Sequence, residues 1–74
     1  MFEFERVFED RKTDVTFKFG ELRSLYREKT NKKSLTAFYD FLREAIDLNY
    51  IEKTNSKYLV RIEKFRGSNE EQKH

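Results

Sequence analysis

The stretch SLTAFYDFLREAIDLNYIEKTNSKYLVRI, Ser34 to Ile62, decides the fold. At about 100° per residue, Leu35, Phe38, Leu42, Ala45 and Ile46 fall within one narrow arc, and Tyr39, Phe41 and Leu48 widen it to roughly half the circumference. This predicts a helix from Ser34 to about Leu48 that is buried on a broad face. Ser34 suits the N-cap, because its hydroxyl accepts a hydrogen bond from one of the first free backbone N–H groups. Asn49 suits the left-handed residue that commonly ends a helix. Tyr50 to Lys53 and Lys57 to Phe65 then read as strands around the turn signal Thr54-Asn55-Ser56. With Asn55 and Ser56 as a two-residue loop, Ile51 lies opposite Val60 and Asn49 opposite Ile62. Ile51, Tyr58, Val60 and Ile62 share the core-facing side in that register, and Glu52, Leu59, Arg61 and Glu63 face outward.

Upstream, Phe19, Leu22, Leu25 and Tyr26 have helical spacing, with Arg27 and Lys29 placed to complement the negative end of the helix dipole. A glycine inside a helix costs roughly 1 kcal/mol, so this helix is expected to start at or just after Gly20, with Val15-Thr16-Phe17 extended before it. Thr30 to Lys33 is a short polar turn between the two helices. In the first ten residues Phe4, Val7 and Phe8 have helical spacing, and Glu3, Glu5 and Glu9 favour a helix start. The competing reading pairs Phe2 to Glu9 with Val15 to Phe19 as a hairpin, which gives an α+β domain of another kind. Gly67 to His74 contains no apolar residue. The expected organisation is a domain over 1–66 and a disordered tail over 67–74.

Seventy-four residues make one domain that buries only about 60–65% of its unfolded surface. Eight Phe, six Leu, three Ile and three Val are enough strong core formers for the chain to fold. There is no Cys, and the one His is the last residue, which argues against zinc, thiol and histidine chemistry. No Ser-His-acid set, glycine-rich phosphate loop or carboxylate pair in an apolar pocket is readable. An enzyme, a small-molecule substrate, a bound metal and a cofactor are therefore not expected. Asp40, Glu44 and Asp47 share a helix face but lack a second kind of ligand group, so they read as a solvated acidic face. No run approaches about 18 uncharged apolar residues, and the first ten residues carry four acids. Neither a membrane span nor a secretory signal is expected, and the protein reads as cytoplasmic.

The net charge is only +2, but it is unevenly spread. Residues 1–10 carry −3, 11–33 carry +5, 34–52 carry −3 and 53–67 carry +4. If the fold sets the two basic blocks side by side, one face is strongly positive.

The order helix, short strand, helix, turn, longer helix, hairpin over VTFKFGELRSLYREKTNKKSLTAFYDFLREAIDLNYIEKTNSKYLVRI resembles the winged-helix branch of the helix-turn-helix superfamily. In size and composition the chain is similar to small archaeal, viral and plasmid regulators. The passage from Leu42 through Ile46 to Asn49-Tyr50-Ile51 is similar to the family's seam of recognition helix and wing, with Asn49 where family members usually carry Gly. The resemblance implies an α+β fold with three helices, a short strand before the second helix and a C-terminal two-stranded wing. It also implies a transcriptional regulator that binds double-stranded DNA with the helix from Ser34 in the major groove.

On that reading Lys29, Lys32, Lys33 and Ser34 meet phosphate at the turn, and Thr36 and Arg43 address base edges. Lys53, Asn55 and Lys57 form the wing contact, with Arg61, Lys64 and Arg66 in support. The solvent arc of that helix departs from the pattern, carrying Asp40, Glu44 and Asp47 beside one Arg. The alternative is the same fold as a protein–protein interaction module without direct nucleic-acid binding. Phe2, Phe41, Leu48, Leu59 and Phe65 exceed what one core requires, which predicts a homodimer formed through the N-terminal segment.

Overall fold

The computed structural model describes residues 3–72, and side chains over residues 3–67. Its elements run α1 (Phe4–Val7), β1 (Val15–Lys18), α2 (Phe19–Thr30), α3 (Leu35–Asp47), β2 (Ile51–Thr54), β3 (Lys57–Val60) and α4 (Ile62–Gln72). The domain is α+β, with four helices and one antiparallel sheet in the order β1-β3-β2.

The sequence rules for the central stretch hold locally. The Ser34 hydroxyl accepts from the Ala37 N–H at 3.3 Å and caps α3. Asn49 ends the helix at a φ of 64°. Asn55 takes a φ of 52° in the hairpin turn, a conformation asparagine tolerates better than most residues. Ile51 pairs with Val60 as the two-residue loop requires. Asn31 closes α2 at a φ of 60°, its N–H donating to the Arg27 carbonyl. Phe4, Val7 and Phe8 are all buried, as the helical reading of the first segment implies.

Three expectations are corrected. The last strand stops at Val60, and the chain turns helical at Ile62 instead of running extended to Phe65. Ile62 and Phe65, three residues apart, then both face the core. The Glu63 N–H, one of the donors a helix start leaves free, is taken by the Asp14 carboxylate at 3.0 Å. The helix continues to Gln72, past Gly67 where the tail was expected to begin. The domain thus has four helices, and the hairpin is followed by α4 and joined by β1 rather than being C-terminal and alone.

The second correction concerns the buried arc of α3. Phe38, Phe41, Leu42 and Ala45 are buried, whereas Leu35 and Ile46, assigned to the core arc by periodicity, are 41% and 38% exposed. The cause is the packing of Phe41. Phe41 stacks within 6.5 Å of Phe4, Phe8 and Tyr26, which draws the helix round toward that side. Third, Phe41 and Phe65 are not surplus. Phe65 lies 4.6 Å from Phe4 and 5.2 Å from Tyr50 between ring centroids. Leu48 is exposed, Leu59 is half-buried, and Phe2 lies outside the described residues. No helix among the described residues is long and apolar enough to cross a membrane.

Candidate functional site

Two surfaces carry the residues of interest, and α3 separates them. On its α1 side a hollow is lined by Glu3, Tyr26, Lys32, Asp40 and Glu44. On its hairpin side a groove is lined by Tyr39, Arg43, Ile46 and Asp47 from α3, and by Lys53 and Tyr58 from the strands. Lys32 and Lys53 therefore flank α3 from different sides, and the two lysine-bearing bends do not form one continuous positive face.

On the α1 side the cations are engaged. Lys29 is 2.6 Å from Asp10 and 3.9 Å from Glu9. Lys32 pairs with Glu3, and the other carboxylate oxygen of Glu3 is buried without a hydrogen-bond partner among the described residues. The hydrogen bond and charge of Lys29 hold the Asp10 carboxyl below its ordinary value. Their acidic partners hold Lys29 and Lys32 above the ordinary lysine value, the hydrogen bonds being the larger influence. Tyr26 is pushed up by burial first and by the nearby Glu3 second. Exposed ion pairs of this kind contribute little to stability. They do, however, lower the local positive potential that a polyanion meets. Arg43 is likewise committed, its guanidinium 2.6 Å from Asp40.

Four other lysines, at the sheet and in the turn before α3, are in the reverse situation. Lys18, Lys33, Lys53 and Lys57 are exposed, and among the described residues none of them forms an ion pair. Lys18 and Lys57 face each other across the β1–β3 ladder, on the sheet face that points away from the core. Like charges in that position are destabilising. Lys53 projects from the neighbouring strand with its ammonium 6.0 Å from the Tyr58 ring centroid.

The remaining sequence-derived site residues divide between surface and scaffold. Thr36 is exposed in the first turn of α3. The Ser34 hydroxyl is occupied by capping and Asn55 by the turn. The Arg61 N–H donates to the Tyr50 carbonyl at 2.7 Å, which extends the hairpin pairing by one step. Lys64 is exposed. Arg66 is drawn away to the Arg11 and Phe8 carbonyls, where its guanidinium holds the loop after α1. Lys18 was missed, because its importance depends on the pairing of β1 with β3. The alternation of Val15, Thr16, Phe17 and Lys18 was the available signal for its outward direction.

Asp40, Glu44 and Asp47 are exposed on α3. Among the described residues no group of three or more acidic or imidazole side chains is arranged to hold a metal ion. No known protein family, curated protein or solved structure matches the chain.

Proposed function

We propose that the protein is a winged-helix DNA-binding domain, a small regulator that grips duplex DNA by the outward face of its sheet. The single observation that carries this reading is the exposed cross-strand pair Lys18–Lys57 on the outward face of the sheet, neither of which forms an ion pair among the described residues. A facing pair of ammonium groups opposes folding, and a phosphate backbone relieves that repulsion while releasing counterions. The element order α1-β1-α2-α3-β2-β3 and the strand order β1-β3-β2 support the winged-helix arrangement that the sequence resembles. The face of α3 contributes little to this grip. Its solvent arc carries Asp40, Glu44 and Asp47 against one Arg43 already paired to Asp40, so phosphate is repelled there.

The test is a salt titration of binding to random duplex DNA, followed by fluorescence anisotropy. Replacing Lys18 and Lys57 by Ala is expected to weaken binding and to lower the slope of log K against log salt by about 1.8, or 0.9 per phosphate contact. An unchanged slope, or no measurable affinity of the wild type at low salt, overturns the reading.

A second reading, the same fold as a protein-interaction module, is favoured by one observation. Leu35, Tyr39 and Ile46 are 41%, 50% and 38% exposed along one side of α3. Loss of partner binding on reversing Asp40 and Glu44, with no DNA affinity, decides for it.

A further inference from the structure

Leu35, Tyr39, Leu42 and Ile46 succeed one another at steps of four, three and four residues, the spacing of an interhelical seam. Leu42 is buried at the floor of this stripe, and the other three stand exposed on it. The occupant is indicated by an oddity of charge order. A helix is stabilised by acids near its N-terminus and bases near its C-terminus. In α3 the first turn has no acid and the last turn has no base. Lys33 precedes the cap instead, and Glu44 and Asp47 close the helix.

We propose that α3 is the interface of a homodimer, in which the α3 helices of two copies pair antiparallel about a two-fold axis. The axis falls between Tyr39 and Leu42. It sets Leu35 against Ile46 of the second copy, and Tyr39 against Leu42 of the second copy. Antiparallel pairing brings the N-terminal end of each α3, with Lys33, to the Glu44 and Asp47 end of the other. Both unfavourable helix ends are corrected in one step, and the two dipoles run oppositely. A foreign helix with the usual charge order matches these charges only by lying parallel, where its dipole opposes that of α3. Self-pairing is the arrangement in which apolar stripe, charge order and dipole all agree, and a two-fold interface must be self-complementary in this way.

The interface leaves the outward sheet face with Lys18 and Lys57 uncovered, so the inference stands apart from the DNA-binding reading. It is a different contact from the N-terminal one expected from the sequence, whose Phe2 lies outside the described residues.

Sedimentation equilibrium of the full chain over roughly 1–500 µM is expected to show a monomer–dimer equilibrium with a Kd on the order of tens of micromolar. Ile46→Glu weakens it at least about tenfold, with the far-ultraviolet circular dichroism unchanged because Ile46 is a surface residue. Lys33→Glu and Asp47→Lys each weaken it about threefold, and the double variant recovers the wild-type constant, since the charge pair is then inverted. A chain that stays monomeric throughout, a dimer that Ile46→Glu leaves intact, or a charge swap without recovery overturns the proposal. The Lys18→Ala, Lys57→Ala variant dimerises normally. Failure of the dimer and failure of DNA binding are thereby read separately.

Discussion

The exposed face of α3 and the outward lysine pair of the sheet are built to opposite rules. The α3 face has apolar side chains with acids beside them, and its one arginine is neutralised by Asp40. The sheet has lysines without acidic partners, two of them facing each other in the ladder. Burying apolar area against protein favours the first surface, whereas counterion release favours the second. The sign and pairing of a surface's charges decide what it can approach.

Substitutions that separate the two surfaces sharpen this contrast. The largest effect is expected for Phe41→Ala, which removes the ring that α1, α2 and α3 share. A loss of about 3–5 kcal/mol in urea unfolding is expected, close to the whole stability of a domain this small. Tyr39→Ala, two residues away on the outer face, is expected to cost under about 1 kcal/mol when measured below the association range. If the two values prove similar, the division of α3 into a buried and an outward face is wrong. Lys57→Glu is the converse test. It turns the repulsive pair with Lys18 into an attractive one, so stability is expected to rise by about 0.2–1 kcal/mol while duplex affinity falls. Destabilisation by this change would mean that Lys57 is held by interactions other than those described.

The smallest effect is electrostatic and lies on the α1 side. Lys29 and Lys32 are raised by their acidic partners, so their contribution is complete below the ordinary lysine value and is lost as pH rises through the raised ones. Asp10 is lowered by Lys29, so its contribution is present above the ordinary carboxylate value and is lost as pH falls through the lowered one. Urea midpoints measured against pH are expected to decline at both ends, and Lys29→Met is expected to flatten part of each decline. A profile identical to that of the wild type would show that these pairs add nothing to folding.

Most of the architecture was legible from local rules. The Ser34 cap, the Asn49 stop, the hairpin register and the helical first segment depend on neighbours within a few residues, where spacing and turn chemistry operate. The misreadings share a different cause. Strand-like alternation after Val60 was overruled by Asp14, a cap supplied from 49 residues upstream. The core assignment of Leu35 and Ile46 failed because Phe41 packs against Tyr26 of α2 and against Phe4 and Phe8, which the periodicity of α3 alone does not encode. The candidate DNA contacts were placed by the resemblance and by residue type, and neither reveals which cations have partners. Lys32 and Arg43 looked equivalent to Lys57 until Glu3 and Asp40 were found beside the first two.

The amino-acid order by itself determined the elements from α1 to the hairpin and the α+β class. Those follow from short-range periodicity, capping and turn preferences. Tertiary structure alone decided the fourth helix, the outward turn of Leu35, Tyr39 and Ile46, and which lysines remain unpaired. Each of these depends on groups brought together from distant points of the chain, and a linear pattern carries no record of such encounters.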